Sequence, residues 1–434
     1  MLRIPPHLIV AASAWVSRIV MALVHFASIR ILMNGLGIPQ YAIFALLTGL
    51  SGWFMLADFG VGSSLQNHLS EQRAKSLGRD AYVVAAAILA SVLAVFTIAI
   101  LYFSSPYIAP ILFVQYPALN HSDKAHLFFI TGSMSIVSVL AGISYKVWYA
   151  EHKGHLSNMM PAIASLVGYA GILWVHQSGV SDKLLWSIIV FIAPSALLPL
   201  ISFSGQVGSC FGGGIKQLNG AIFVRMLKRA CPFWIFALMS NFVLQIDYFV
   251  MSQFLRSEDI VAYNLSTKIF GLTLFIYVSV LTALWPLFSE AIAQGNWAMV
   301  RSHTRKYLGI GMGWMLVSTI FLIGLMPKAI QLLAPRETIV IPVMLILLLG
   351  VYNLLRVWTD TFAMILLSMS DLTLLWMITP LQAFISVASQ WYLAQLFGLY
   401  GILLGLILSF VLTASWILPW AVHRHYQKYA TLET

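Results

Sequence analysis

Long apolar runs bounded by Gly, Pro or charged residues recur along the whole chain. Twelve of them are long enough to count as spans: near 8–33, 40–64, 81–104, 126–149, 157–177, 184–209, 232–254, 261–288, 305–326, 338–367, 373–396 and 399–421. A helix needs about 20 mostly apolar residues to cross a bilayer. The cleanest run, Ala81 to Phe103, carries no charge, whereas the first contains Arg18, His25 and Arg30. No repeated ten-residue alternation of the outer-membrane-barrel kind occurs. The pattern therefore predicts an all-α integral membrane protein.

Composition sharpens that reading. Of 434 residues 60% are hydrophobic and only 9% charged, with a mean hydropathy of +0.88. A soluble domain carries roughly 25% charged residues, so most soluble enzymes and any large extramembrane domain are excluded. Disorder is excluded as well, because it needs a polar chain. The net charge of +10 is spread through short loops and forms no stripe that could track a phosphate backbone, so no nucleic-acid partner is expected. Of the 24 Lys and Arg, fifteen fall on one side, from Arg3, Arg73, Lys75 and Arg79 to Arg424 and Lys428. Five fall on the other: Lys124, Lys183, Arg256, Lys328 and Arg336. The positive-inside rule then puts both termini in the cytoplasm. Cys210 and Cys231 make no disulfide framework and are expected as free thiols. His7 to Leu32 is too long for a signal-peptide core and no small-residue cleavage site comes after it.

The longest polar interval inside the chain, Ser204 to Ala230, includes Gly212-Gly213-Gly214 as a flexible start. Leu218, Ile222 and Met226 then recur at helical spacing against Lys216, Arg225 and Arg229, as in an amphipathic helix on the inner leaflet. The expected organisation is a six-helix bundle over 1–204, a cytoplasmic linker with that helix over 205–230, and a second six-helix bundle over 231–434. Six spans per half implies parallel repeats about an axis along the membrane normal. Tyr41 and Tyr263, and Ser70-Glu71 and Ser289-Glu290, echo one another at offsets of 222 and 219.

Candidate chemistry lies in the ionisable residues inside spans: Arg18, Arg30, Lys268, Arg356, Asp58, Asp247 and Asp360. Each costs about 2.5–3.5 kcal/mol at the centre of a lipid-facing helix. Together they must face a packed interior or a watery cavity. Arg18 and His25 share one face of the first helix, either as an anion-coordinating stripe or as an anchor of that helix. Arg30 lies near the outer end and can snorkel. Lys268 is either a snorkelling anchor or a cavity group. Asn353, Arg356 and Asp360 share a helix face, where Arg356 and Asp360 can pair internally or meet substrate. Asp58 and Asp247 are carboxylates that either carry a proton or sodium or neutralise a nearby Arg. Asp58, followed by Phe59-Gly60-Val61-Gly62, can also cap a broken helix. No Walker-type loop and no HExxH or cysteine pair at zinc-ligand spacing occurs, and His152 and His155 form only a loop pair.

Tyr41-Ala42-Ile43-Phe44, then Met55-Leu56-Ala57-Asp58-Phe59-Gly60-Val61-Gly62 and Asn67, together with Tyr263 to Lys268, carry a family likeness. The chain resembles the Wzx O-antigen flippases, the polysaccharide branch of the multidrug/oligosaccharidyl-lipid/polysaccharide exporter superfamily. The resemblance implies two six-helix bundles related by pseudo-twofold symmetry that rock about a central cationic cavity. It also implies transport of an undecaprenyl-pyrophosphate-linked oligosaccharide from the cytoplasmic to the periplasmic leaflet of a bacterial inner membrane. Arg18 and Lys268 match the places where the family's first and eighth helices bear basic residues. Arg18, His25, Lys268, Arg356 and Arg30 are thus the substrate-binding candidates; Asp58, Asp247 and Asp360 are the ion-coupling candidates. Membrane lipids and other polysaccharide-assembly membrane proteins are the expected partners. No cofactor or enzymatic step is expected, only coupling to a proton or sodium gradient. A cation-coupled multidrug exporter and a membrane-embedded polymerase or acyltransferase are the alternatives.

Overall fold

The structure is a computed structural model that describes residues 6–74, 78–117, 119–151, 153–335, 339–369 and 373–430. Arg3, Lys75, His152 and Arg336, named above, lie outside them. Every regular element among the described residues is helical. Ten helices or runs of joined helices among them are long and apolar enough to cross a membrane. Large side chains point outward along them: Val95 is 72% exposed, Phe103 72%, Ile320 70% and Phe384 73%. In water such a surface would be an aggregation patch; against acyl chains it is the expected lipid contact.

The chain divides into two compact units, Met1–Leu238 with Leu333–Glu337, and Met239–Leu332 with Thr338–Thr434. In the first, α1 (Pro6–Gly49) covers the first span expected from sequence and the start of the second, and breaks at Gly37, whose φ of 70° and ψ of 173° suit only a residue without Cβ. Then come α2 (Ser51–Phe54), a 3₁₀ turn at Met55–Asp58, α3 (Val61–Ala74), α4 (Asp80–Leu112), α5 (His121–Ala141), α6 (Ile143–Ala150), α7 (Gly154–Gln177), α8 (Lys183–Gln217) and α9 (Gly220–Leu244). The unit boundary falls inside α9, after Leu238.

The interval 204–230 is not a separate surface helix. α8 runs through Gly212-Gly213-Gly214 to Gln217, and residues 220–230 open α9. The glycines serve close packing: a Cβ on Gly214 would stand 2.6 Å from the Asp80 carbonyl oxygen, and one on Gly213 2.9 Å from the Asp80 carboxylate. The apolar stripe Ile222, Met226 and Ala230 is buried in protein. Ser64 Oγ donates to the Met226 carbonyl at 2.8 Å, and Arg229 pairs with Glu71 at 2.7 Å. The periodicity is real; its apolar face covers α3 and does not rest on lipid. Cys210 is buried and Cys231 exposed, both as free thiols.

The second unit continues with α10 (Ile246–Phe254), α11 (Ser257–Ala293), α12 (Trp297–Leu333), α13 (Val343–Ser368), α14 (Thr373–Phe397), α15 (Leu399–Leu412) and α16 (Ala414–Ala430). Its tightest contact joins α14 to α15. Gly401 and Gly405 stand one turn apart on α15, and small residues at that spacing let helix backbones meet. A Cβ on Gly405 would lie 2.5 Å from the backbone nitrogen of Gln390. A Cβ on Gly401 would fall on the Leu393 carbonyl. Ser389 Oγ also reaches the Gly405 carbonyl, at 2.9 Å.

Gly405→Ala is therefore expected to destabilise the protein by about 1–3 kcal/mol, the usual cost of overpacking. Gly313→Ala, with open space around its Cβ position, serves as the neutral control. Thermal unfolding of the detergent-solubilised protein reads both, and equal melting temperatures would contradict the close approach.

Candidate functional site

In the first unit, Arg18 and His25 lie seven residues apart on α1. Arg18 is exposed and His25 half-buried. Arg18 shares an exposed stripe with Trp15 and Ile19, and the Tyr149 hydroxyl is within its electrostatic reach. Tyr149 donates to Asn158 Oδ1 at 2.5 Å. The Asn158 amide in turn donates to the Val10 carbonyl at 2.9 Å and to Ser13 at 3.1 Å. Polar groups of α6 and α7 thus hold the start of α1 and set the direction of its basic face. His25 meets a different environment: its ring centroid lies 5.8 Å from that of Phe191, which packs edge-on to Phe44 at 5.3 Å. Arg30 is exposed and, at 100° per residue, sits about 120° around the helix from Arg18. The three do not form one stripe.

Asp58 closes the 3₁₀ turn and caps the start of α3. Its carboxylate accepts from the Gly60 amide at 2.8 Å and the Gly62 amide at 3.4 Å, where the positive end of α3 stabilises an anion. The turn has a left-handed Phe59 (φ 47°) followed by Gly60 (φ 77°). Phe59 stacks on Trp234, centroids 5.2 Å apart, and Trp234 donates to the Leu56 carbonyl at 2.9 Å. A Cβ on Gly60 would strike the Ala230 carbonyl. The Asp-Phe-Gly-Val-Gly run is thus a helix break that seats α9.

The second unit gathers the other candidates into a polar network. The chain breaks at Gln245, between α9 and α10, and Asp247 sits in the first turn of α10, only 7% exposed. Its carboxylate accepts the Tyr263 hydroxyl at 2.5 Å and the Tyr248 amide at 2.9 Å. Asn264 donates to the Tyr248 hydroxyl at 2.7 Å. Tyr352 lies in electrostatic range of both Asp247 and Tyr263, and accepts from Arg356 Nη1 at 3.2 Å. Arg356 also binds Asp360 through two nitrogens, at 3.0 Å and 3.2 Å. Arg356 and Asp360 remain 22% and 26% exposed, so they form a neutral pair that is not sealed. Asn353 turns back to the Leu349 carbonyl at 2.7 Å.

Lys268 lies one turn beyond Asn264 on α11 and is half-buried. Its ammonium has no hydrogen bond or ion pair among the described residues. It alone of the second unit's four intramembrane candidates is not matched within that network. Sequence reasoning missed Tyr352 and the pairing of Tyr263 with Asp247. Tyr352 stands one turn before Arg356, a spacing that could have drawn it into the Asn353–Asp360 face.

No protein-family model matches the chain. Among solved structures, an inward-facing multidrug-resistance transporter of the MOP superfamily superposes with a TM-score of 0.71 at 14% identity, covering 95% of each chain. The lipid II flippase MurJ in an inward-closed conformation superposes equally well, at 0.71 and 15% identity, over 96% of this chain and 87% of that one. The fold is that of MOP-superfamily membrane transporters. In sequence the chain is 37% identical over 422 residues to an O-antigen export protein of Yersinia pseudotuberculosis, covering 97% of this chain and 96% of that protein. It is also 37% identical over 423 residues to an O-antigen transporter of Salmonella typhimurium, covering 96% and 97%. The chain belongs to the O-antigen transporter family.

Tyr263→Phe is expected to cost about 1–3 kcal/mol, because it leaves a buried carboxylate short of a donor. Asp247→Asn should cost less in the Tyr263→Phe background than in the native protein. Unfolding of the four proteins of this cycle in detergent measures the coupling. Costs that add within about 0.5 kcal/mol would show that the hydroxyl does not support the carboxylate.

Proposed function

We propose that this chain is a flippase that carries an undecaprenyl-pyrophosphate-linked oligosaccharide, the O-antigen repeat unit, from the cytoplasmic to the periplasmic leaflet of the bacterial inner membrane by alternating access. The observation that carries the reading is Lys268, an ammonium with no partner among the described residues, in a membrane helix beside a polar network whose other charges are satisfied. An ionisable group inside a membrane is expensive and marks a substrate or ion pathway. The O-antigen names of its full-length relatives support an anionic lipid-linked sugar as the cargo, and the fold shared with a lipid II flippase is consistent with it.

In this reading Lys268 and Arg18 supply positive charge to the pyrophosphate, Arg through the planar donor geometry that phosphate favours. His25, resting on Phe191, supplies a polar edge within an aromatic surface suited to a sugar ring. Arg356, neutralised by Asp360, offers hydrogen bonds and no net charge, and Arg30 draws the head group toward the outer end. Asp247 is the group through which a proton or sodium gradient couples, since it lies at a helix break with protonatable neighbours. Asp360 and Asp58 are occupied by Arg356 and by backbone amides. Twelve spans in two pseudo-twofold bundles with cytoplasmic termini, and company with other polysaccharide-assembly membrane proteins, complete the proposal.

Lys268→Ala and Arg18→Ala should each abolish surface O-antigen while the protein remains at native level in the membrane, with lipid-linked repeat units held on the inner leaflet. Immunoblotting of surface polysaccharide and leaflet-selective labelling of the lipid-linked pool read these outcomes. Normal polysaccharide in both variants removes the site assignment. Single repeat units accumulating on the outer surface after deletion would indicate a polymerase instead, and drug sensitivity with intact polysaccharide an exporter.

A further inference from the structure

The arginines at the basic ends of the two units are finished differently. In the first unit, among the described residues, Arg73, Arg79, Arg225 and Arg229 all have acceptors. Arg73 reaches the Ala150 carbonyl at 3.1 Å, Arg79 pairs with Glu151, Arg225 returns to the Ala221 carbonyl at 3.2 Å, and Arg229 meets Glu71. At the start of α12 the corresponding charges are left over. Arg301, Arg305 and Lys306, with Ala298 and Ser302, line an open surface depression of about 600 Å³. No carboxylate lies within ion-pair distance of these three cations among the described residues. Their spacing places them along one side of the helix. Three uncompensated cations around an open depression suit an anion with several oxygens.

The surface of α12 beyond this depression distinguishes a lipid anion from a soluble one. The same exposed side continues through Gly309 and Gly313, where a Cβ would meet nothing within 4 Å. It then passes Leu316, Val317 and Ile320, exposed by 50%, 64% and 70%. From Lys306 to Ile320 the helix rises about 21 Å at 1.5 Å per residue, more than the roughly 15 Å depth of one hydrocarbon leaflet. A soluble phosphate would have no use for that apolar track. A phospholipid uses both parts, its phosphate in the basic depression and its chains along the glycine-lined strip.

We propose that Arg301, Arg305 and Lys306 form a docking site for the head group of an anionic phospholipid, with its acyl chains lying along Gly309–Ile320 of α12. The site is separate from Lys268 and from the Asp247 network. Basic pockets at the cytoplasmic ends of membrane helices hold anionic head groups in this way, each Lys or Arg adding attraction.

The test is native mass spectrometry of the full-length protein titrated with dioleoylphosphatidylglycerol, with dioleoylphosphatidylethanolamine as the zwitterionic control and inorganic pyrophosphate as competitor. The triple variant R301Q/R305Q/K306Q should bind phosphatidylglycerol about a hundredfold more weakly and each single variant about fivefold. Phosphatidylethanolamine binding should be unchanged. Gly309→Leu, which fills the strip and removes no charge, should weaken phosphatidylglycerol severalfold and spare its dihexanoyl analogue. The substituted side chains are exposed, and native melting temperatures establish that the fold is kept; single variants serve if the triple one fails to fold. Wild-type affinity in the triple and single variants, equal binding of both lipids, or displacement by pyrophosphate as effective as by lipid would overturn the proposal, the last pointing to a free polyphosphate.

Discussion

A charge inside hydrocarbon must be matched, hydrated or removed, and that constraint organises this protein. Asp58 is matched by two backbone amides freed at a helix break. Asp247 is matched by a tyrosine hydroxyl and an amide at a second break. Arg356 and Asp360 match each other within one helix. Each solution uses a local feature of the chain, a glycine turn, a broken helix or an i, i+4 register. Once these are subtracted, Lys268 stands without a counter-charge among the described residues of its unit. Charge that a fold leaves unmatched in a membrane is charge held for something that arrives.

The helix breaks and the polar groups belong together. A continuous helix satisfies its own amides and has none to offer; a break frees up to four at each new start. The 3₁₀ turn before α3 and the gap at Gln245 before α10 each expose such amides within apolar surroundings, and each is capped by a nearby aspartate. Lipid tolerates irregular backbone only where protein or water satisfies it. The carboxylates are therefore as much a condition for the breaks as the breaks are for them. A change at Asp247 alters backbone and charge together, which suits a group that couples ion occupancy to helix geometry.

The all-helical membrane class was legible because hydrocarbon imposes a run length that shows directly in residue order. The O-antigen likeness was legible for a related reason: Asp58-Phe59-Gly60-Val61-Gly62 encodes a turn that few other residues could make, as the left-handed Phe59 and Gly60 show. The features that escaped depended on partners distant in sequence. Gly212-Gly213-Gly214 reads as flexible until Asp80 is found against it. The stripe Leu218, Ile222 and Met226 has the same periodicity whether it faces lipid or α3, and only the contact with Ser64 decides. Tyr352 carries no charge, so a search for ionisable residues passed over the hydroxyl that joins Arg356 to the Asp247 side of the network.

The residue type at position 268 bears on how such a carrier would work. Guanidinium grips phosphate through paired donors in fixed geometry, which suits capture but slows release. An ammonium is a compact point charge on a flexible stem that tracks a phosphate without fixing its orientation. Sites that pass a ligand onward need binding favourable enough for entry and weak enough for exit. Arg356, the other basic group of the second unit inside a span, has its guanidinium occupied by Asp360 and Tyr352. On the proposed reading, the geometry withholds the stronger phosphate ligand and leaves the weaker one available. That choice is wrong for a receptor that retains its ligand and right for a carrier that must let go on the far side.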